Sequence, residues 1–392
     1  VEAGGRGGRA EVESGDVARV NGGALGAAAV NLRVADRARA ARPALWVVTQ
    51  APFMVSGVAV AQDETVFLGM PRFTGMNNTY SVARVRHDGT PKAFPGGAGN
   101  AWRPGQDGTA AFVMVNAVHI FGDNTLWVVD QGAPPGQTPQ PGAQKLVQIS
   151  PRNGQILRVL TFPDSIMPPG AQLNDLRMRG DLLFITDSGL GGIIIHNLKT
   201  GRTLRRLSGQ GVMRNDNVHL HKGNGGRILR DVNGTRPQVQ SDQPEIDPTG
   251  RWLYFSVPAG PLKKVWIADL LDPTLSDTAI AQRVRLVVDI PSIGGTCIDT
   301  RGNLYLADAE HSRIVVLAPD NRRETLVQDH RLLSPDALFI DRTRRLYIPC
   351  PQIERLPMFN NGVMSARAPF LVLSMPLPDQ IRGIPLGNAV EG

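Results

Sequence analysis

A two-strand pattern recurs six times along the chain, and this repeat restricts the possible folds more than any other feature. In each copy an alternating apolar segment meets a turn rich in Gly, Asp or Asn, and a second apolar segment with one aromatic residue follows. Two such segments on either side of a polar turn predict a β-hairpin. The six copies begin at Gly57, Val118, Leu176, Pro244, Thr296 and Ala337.

The spacing of the repeat predicts the fold class. A four-stranded propeller blade takes about 40 to 50 residues, and further alternating segments, such as residues 145–162, lie between the hairpins. We therefore predict an all-β fold, a six-bladed β-propeller. A two-sheet sandwich is the alternative, but a sandwich does not require six copies of one pattern, whereas a propeller repeats it around a ring. The second-strand aromatics are spaced by 60, 57, 70, 51 and 42 residues and are Phe67, Trp127, Phe184, Tyr254, Tyr305 and Tyr347.

Composition indicates how the chain is organised around that repeat. We expect residues 1–43, rich in Gly, Ala and Arg, to form a flexible extension, residues 44–380 the propeller, and residues 381–392 a C-terminal tail. Residues 22–32 resemble a signal peptide only in part, because Asn31 interrupts the apolar run. No apolar stretch reaches the ~18 residues of a membrane-spanning helix. We expect a secreted or periplasmic monomer with Cys297 and Cys350 as buried thiols, a single bridge between them being the alternative.

The formal net charge of +7 does not predict a nucleic-acid partner. Nucleic-acid binding requires Lys and Arg gathered into a stripe with motif support, and the densest basic runs lie at predicted hairpin tips, at residues 321–323 and 342–345. A basic surface would instead favour small anionic ligands by steering. Arg72 could meet such an anion by a bidentate contact, or it could pair with a loop acid.

Several segments resemble the major royal jelly / yellow protein family, in particular bacterial members related to L-dopachrome tautomerase. The segment QLNDLRMRGDLLFITDSGLGGIIIHNLKTGRTLRRL at residues 172–207 carries the resemblance most clearly. Four further segments occur in the order and spacing typical of the family. They are LWVVDQG, which precedes residues 172–207, and PEIDPTGRWLYFSVPAGPL, GGTCIDTRGNLYLAD and DHRLLSPDALFIDRTRRLYIP, which come after them. The resemblance covers residues 44–377. It implies a six-bladed propeller with a small-molecule pocket at one end of the axial channel, without fixing the reaction.

One departure from the family pattern bears on that pocket. A position that often reads Trp-Pro-Asp in the family is Ser334-Pro335-Asp336 here, so an aromatic wall of the pocket is missing. We nevertheless expect Asp336, placed by Pro335 at the start of an inner strand, to face the ligand. Thr296 is a further candidate, because Gly294 and Gly295 before it let backbone approach a ligand closely. A sharp turn explains these glycines equally well.

Asn174 and Asp175 open the third repeat and supply oxygens suited to Ca²⁺ or to an organic ligand. Alternatively, Asp175 caps a turn. The related gluconolactonase and regucalcin propellers bind a divalent cation through a Glu, an Asn and an Asp, and Asn174 matches the Asn. The first-blade position that would supply the acid reads Val55-Ser56-Gly57. The similarity implies a Ca²⁺ site at Asn174 that lacks one carboxylate.

Asp242 and Glu245, just before the fourth hairpin, are the candidate catalytic residues. Two carboxylates near the channel could divide general acid and base roles if burial separates their pKa values. The alternative is that both face water in a loop. His219 and His221 could both contact a metal, but no third ligand is evident, so a solvated loop is favoured. The recurring acids Asp130, Asp187 and Asp308 predict a structural role, accepting backbone hydrogen bonds.

Three functions remain compatible with these patterns. The first is a small-molecule-binding propeller that acts as a tautomerase on a cyclic organic substrate. The second is a calcium-dependent lactone hydrolase, and the third is a binding protein without catalysis. Neither a nucleotide-binding loop nor a nucleophile elbow is present in the strand and helix context that each requires.

Overall fold

The first strand of the propeller completes its last sheet. The computed structural model describes residues 45–73 and 75–392, so the expected N-terminal extension at residues 1–43 and the signal-like segment lie outside the described residues. Strand β1 (Trp46–Ala51) pairs antiparallel with the strand at Phe370–Pro376, far away in sequence. Backbone hydrogen bonds between early and late strands therefore close the ring, which protects its sheets from open edges.

Six four-stranded antiparallel sheets form the blades. In five of them the strands follow one another in chain order from the axis outward, whereas β1 is the outermost strand of the sixth. The first three blades consist of β2 (Gly57–Val60), β3 (Val66–Gly69), β4 (Val82–Val85), β5 (Pro91–Ala93); β6 (Val115–Ile120), β7 (Leu126–Asp130), β8 (Lys145–Ile149), β9 (Ile156–Leu160); and β10 (Leu173–Arg179), β11 (Leu182–Asp187), β12 (Ile193–Asn197), β13 (Thr203–Arg206). The last three consist of β14 (Pro244–Ile246), β15 (Trp252–Phe255), β16 (Leu262–Trp266), β17 (Arg285–Val288); β18 (Ile293–Ile298), β19 (Leu304–Asp308), β20 (Arg313–Leu317), β21 (Arg323–Gln328); and β22 (Phe339–Ile340), β23 (Arg345–Cys350), β24 (Phe370–Pro376) with β1. The predicted six-bladed propeller is confirmed.

Helices are short and lie in the connections of the described chain. Two α-helices, α1 (Ile267–Leu271) and α2 (Asp277–Ala281), insert between the outer strands of the fourth blade. Within residues 45–73 and 75–392, no helix is long and apolar enough to cross a membrane. After the sixth blade the chain forms a small hairpin of β25 (Gln380–Ile381) and β26 (Ile384–Pro385). The 3₁₀ turns are Ala98–Asn100, Gly211–Met213, Asn224–Gly226, Ile353–Arg355 and Pro357–Phe359.

The hairpin turns explain why the repeat folds locally into a blade. In the last three blades an Asp begins the turn between the first and second strands, and its carboxylate accepts N–H groups two and four residues later. Asp299 accepts from Arg301 and Asn303 at 2.9 and 3.0 Å. Asp341 accepts from Thr343 and Arg345 at 2.9 and 2.8 Å. The sequence thus satisfies the turn's backbone donors through its own side chain.

The aromatic residues of the repeat lie on the second strands, as the spacing predicts, and most of them are buried between blades. Trp127, Phe184 and Tyr305 are fully buried, whereas Tyr254 is half-buried. On the axial side, the first strands of neighbouring blades contact one another around the ring. Their N-terminal ends meet at one mouth of the axial channel and their C-terminal ends at the other, so polar residues at corresponding strand positions come together.

Candidate functional site

A cavity of about 160 Å³ opens where the N-terminal ends of the innermost strands converge. We call it the upper cavity. Its polar wall contains Asn116, Asn174, Asp242, Asp336, Gln131, Gln172, Ser188 and His221, and its apolar rim includes Phe73, Met358 and Phe359.

Backbone irregularities direct several of these residues toward the axis. The inner strands β6, β10 and β18 each lose their regular register just after they begin, between Val115 and Ala117, between Leu173 and Leu176, and between Ile293 and Thr296. A bulge redirects side chains and is frequent beside functional sites. Asn116, Asn174 and Gly294 lie at these irregularities and line the cavity.

Asp242 and Asp336 are the two acids of the cavity wall, and both are half-buried. Burial raises the pKa of Asp242 to about 8, with a further contribution from the charge of Asp175 and an opposing hydrogen bond from Asn174. Burial also raises the pKa of Asp336 well above its usual range, and the charge of Asp242 adds to this effect. No Lys or Arg side chain opposes either shift, so at neutral pH the carboxyl group of Asp242 tends to hold a proton.

Asn116 was not predicted from the sequence, but it is hydrogen-bonded to Asn174, which was. Its Nδ2 donates to Oδ1 of Asn174 at 2.6 Å, while Oγ of Ser56 donates to its backbone carbonyl at 2.8 Å. The signal existed in the repeat, because Asn116 and Asn174 occupy the second position of the inner strand in consecutive blades. At the entrance to the first blade, Ser56 supplies a hydroxyl group at the position where a divalent-cation site would need a third carboxylate.

Three other predicted residues come together below the upper cavity in a closed ion-pair network. Arg177 donates through Nε and Nη2 to both oxygens of Glu245 at 3.0 and 2.6 Å, and through Nη1 to Asp175 at 2.9 Å. Oγ1 of Thr296 donates to Oε1 of Glu245 at 2.8 Å. Because Asp175 and Arg177 are two residues apart on β10, they point to the same side of the strand.

This network removes Glu245 from any free acid–base role. Burial by itself would lower the pKa of Arg177, but the charges of Asp175 and Glu245 outweigh burial and raise it. A bidentate Arg–carboxylate pair of this kind is among the stronger hydrogen-bonded contacts in proteins. Of the two candidate catalytic residues, only Asp242 therefore faces a cavity with an unpaired carboxyl group. The two acids differ because Arg177, which was not predicted from the sequence, pairs with Glu245.

Arg72 lies away from these residues, inside the first blade. It is fully buried, and its guanidinium donates to the carbonyls of Phe112, Val113 and Thr79 at 2.8 to 2.9 Å and to Ser81. Burial lowers the pKa of Arg72 to about 10. These contacts tie loops of neighbouring blades together and do not face the axial channel, so we leave Arg72 out of the proposed site.

The recurring aspartates have the structural role that their repetition predicts. Asp130 accepts the backbone N–H groups of Val113, Met114 and Gly132, each at 2.9 Å, and pairs with Lys145. Asp187 and Asp308 likewise accept backbone N–H groups of the following turn. Each holds a loop to the second strand of its blade. Cys297 and Cys350 are buried free thiols, as favoured.

The two histidines of residues 219–221 separate, and one of them belongs to the cavity. His219 pairs with Asp216 at 2.8 Å, whereas His221 lines the upper cavity near Phe359. Burial lowers the pKa of His221 to about 4, so this ring is neutral at physiological pH. The solvated-loop interpretation is therefore wrong for His221, because loops of other blades cover it. Among the described residues, no group of three His, Cys, Asp or Glu side chains could hold a metal ion.

The two glycines before Thr296, Gly294 and Gly295, allow the fifth blade to pack closely against the sixth. A Cβ atom at Gly294 would lie 2.2 Å from the carbonyl oxygen of Pro335, and one at Gly295 would lie 2.6 Å from Ala337. Only glycine permits this approach. The pair therefore brings the fifth blade against the segment that carries Asp336, and so helps to place that carboxyl group at the cavity.

Several solved structures share this fold. A gluconolactonase from Xanthomonas campestris matches with a TM-score of 0.52 and 14% identity over 85% of this chain and 89% of its own. A calcium-binding regucalcin from Agrobacterium tumefaciens gives 0.51 and 13% over 89% and 96%. A luciferin-regenerating enzyme gives 0.54 and 9% over 89% and 100%. At these identities the similarity shows the propeller fold alone.

The sequence itself identifies the family. A search among curated proteins found no significant match. The family model described as major royal jelly protein matches residues 114–368, which is more than half of the chain. The matched segment includes Asn116, Asn174, Asp242 and Asp336 of the upper cavity. The chain therefore belongs to the major royal jelly protein family.

Proposed function

We propose that the upper cavity binds a small organic molecule and that Asp242 transfers a proton on it, as in the tautomerisation of a cyclic oxidised catechol. The observation that carries the proposal is the pair of acids, Asp242 and Asp336, at one cavity wall without a cationic partner. A carboxyl group with a pKa of about 8 can both donate and accept a proton near neutral pH, which is what general acid–base catalysis requires.

The cavity also supports a ligand class. The oxygens of two carboxyl groups and of the amides of Asn116 and Asn174 offer hydrogen-bond acceptors. We therefore expect a ligand that carries hydrogen-bond donors. The apolar rim at Phe73 and Phe359 supports a ring-containing molecule. Family membership supports a location outside the cytoplasm.

Replacement of Asp242 by Asn tests the acid–base role. We expect kcat/KM for dopachrome, used as the probe, to fall about 100-fold or more in Asp242→Asn, since a positioned acid or base contributes roughly 10²- to 10⁴-fold. The pH profile of the wild-type enzyme should bend near pH 8. Asp320→Asn is the matched control, because Asp320 lies in an exposed outer turn.

Three outcomes separate the candidate functions. Equal turnover by Asp242→Asn and wild type would reject the catalytic role of Asp242. Dopachrome binding that depends on Asp242, without turnover, would identify a binding protein. Absence of both binding and turnover would reject the oxidised-catechol class.

A divalent-cation site is the second candidate, because oxygen ligands of three blades meet here. Asn174, Asp242 and Asp336 would hold the ion, and amide and carboxylate oxygens suit Ca²⁺. Bound there, a cation would polarise the carbonyl of a lactone. Two structures of the same fold are a gluconolactonase and a calcium-binding protein, which adds support. The fit is partial, because Ser56 contributes no charge and Asn174 Oδ1 already accepts from Asn116.

Thermal unfolding with Ca²⁺, Mg²⁺ and EDTA tests the cation site. Calcium at 100 times its Kd should stabilise the fold by about 2.7 kcal/mol. Because the carboxyl groups must lose their protons first, the apparent affinity should rise from pH 6 to pH 9. A response that is identical in wild type and Asp242→Asn would reject the site, as would no response to any cation.

A further inference from the structure

A second cavity occupies the opposite mouth of the axial channel. This lower cavity, of about 70 Å³ and open to solvent, is bounded by the C-terminal ends of the innermost strands of all six blades and by the chain segment Ala389 to Gly392. The ion-pair network of Arg177 and Glu245 forms part of its wall toward the middle of the channel. It is therefore separate from the upper cavity, where Asp242 and Asp336 lie.

The end of the described chain covers part of this mouth. Residues 386–392, the C-terminal strap, attach first to the fifth blade, where Gly387 N–H donates to Asp299 at 2.7 Å and Asn388 N–H to Thr300 Oγ1 at 2.9 Å. The strap reaches the second blade, where Gly122 N–H donates to the carbonyl of Glu391 at 2.5 Å. It is thus held on both sides of the lower cavity.

His119 is a half-buried polar group of the cavity wall with unused hydrogen-bonding capacity. Its ring is half-buried beside two aromatic rings, with centroids 4.4 Å from Phe121 and 5.2 Å from Phe339. In the described part of the chain, neither ring nitrogen has a hydrogen-bond partner. Burial, aided by the charge of Arg177, lowers the pKa of His119 well below its usual value, so the ring offers both a donor and an acceptor.

The charged side chains around the cavity are already paired with an opposite charge or hydrogen-bonded. Arg177 directs its donors to Glu245, Asp175 and the carbonyls of Leu176 and Thr296. Asp341 accepts from Thr343, Arg345 and Tyr347 in its turn. At the rim, Arg342 pairs with Glu391 at 2.8 Å. An anionic ligand would therefore meet no unpaired cation among the described lining residues, whereas a neutral one would keep the apolar contacts.

We propose that the lower cavity is a second ligand site, which takes a small, neutral, planar aromatic molecule with one N–H or O–H group that hydrogen-bonds to His119. The rings of Phe121 and Phe339 and the side chain of Met178 provide the apolar contact, and the strap forms the outer wall. The site does not depend on the chemistry proposed for the upper cavity, since the two share no side chain among the residues that line them.

Indole is a suitable probe, because it is neutral and planar and has a single N–H donor. We expect calorimetric titration to show one indole per chain, with affinity about five- to tenfold weaker in His119→Phe, the loss of one hydrogen bond. Phenylalanine keeps the ring among its aromatic neighbours, so the variant should fold. Asp320→Asn, in an exposed outer turn, is the matched control and should bind indole as the wild type does.

The two cysteines locate the bound probe without any substitution. Cys297 lines the lower cavity, whereas Cys350 is buried elsewhere in the sixth blade. Bound indole should slow alkylation of Cys297 by iodoacetamide, measured by peptide mass spectrometry, and leave the rate at Cys350 unchanged. Absence of binding, equal affinity in His119→Phe, or no protection of Cys297 would each overturn the proposal. Failure of dopachrome to bind the upper cavity would leave it intact.

Discussion

The upper cavity and the network beneath it use the same residue types with opposite results. Asp175 and Glu245 lie near the axis and are matched by Arg177 at 2.6 to 3.0 Å. Asp242 and Asp336 lie on the same axis without such a partner, and burial raises their pKa values. A buried carboxylate is stable when a cation and hydrogen bonds compensate for lost hydration. Where they do not, the group tends to hold a proton, which suits it to bind or react.

Removal of Arg177 should have the largest effect on this contrast. Arg177→Met would leave two acids buried without compensation, so we expect the free energy of unfolding to fall by about 3 to 5 kcal/mol. Urea denaturation measures the loss. Arg322→Met is the control, because Arg322 pairs with Asp320 while both side chains are 55% exposed, and it should cost less than about 1 kcal/mol.

A second step sharpens the same prediction. Adding Asp175→Asn and Glu245→Gln to Arg177→Met should recover part of the stability, because the uncompensated charges disappear. A single variant as stable as the wild type would contradict the view that Arg177 compensates these acids. So would a triple variant no more stable than the single.

The upper cavity should make stability depend on pH. The folded-state pKa of Asp242, about 8, lies above its ordinary value of 3.8, so the folded protein holds a proton that the unfolded chain releases between these values. The stability contributed by Asp242 should therefore be greatest at and below about pH 4 and be lost as pH rises toward 8, by at most about 1.4 kcal/mol per pH unit. Asp242→Asn should flatten this slope.

Urea unfolding at pH 5, 6, 7 and 8 measures the slope. Asp320→Asn is the control, since the pKa of Asp320 is lowered by Arg322 and Asp320 titrates below this window. Parallel curves for wild type and Asp242→Asn would show that Asp242 is ionised throughout the range.

The smallest effect is expected at the strap. Thr300→Val removes the hydroxyl that accepts from Asn388 N–H, and one exposed hydrogen bond contributes about 1 kcal/mol or less. Global stability should hardly change, but amide exchange at residues 387–391 should become faster. Thr125→Val, which removes a comparable contact to Asp123 in the second blade, should leave strap exchange unchanged. Equal amide-exchange rates at residues 387–391 in both variants would show that Thr300 does not hold the strap.

The sequence predicted individual site residues better than it predicted which of them contact one another. Asp242, Asp336 and Asn174 were identified from their positions before inner strands and line one cavity. Glu245 was paired with Asp242 because the two are close in sequence, yet it faces the other way into the ion-pair network. Asn116 was missed although its blade position repeats that of Asn174. Arg177 was missed because nothing local to β10 shows that Glu245 of the next blade lies opposite it.

The sequence by itself determined the six hairpins, the Asp-capped turns of the last three and hence the propeller, because these depend on alternation and on contacts between residues a few positions apart. Only the tertiary structure decided which acids are charged, since compensation depends on side chains from other blades, 68 positions apart for Arg177 and Glu245. It likewise decided that His221 is covered and that the strap borders the lower cavity. Closure of the ring brings distant residues together, and their distance then sets their charge and their chemistry.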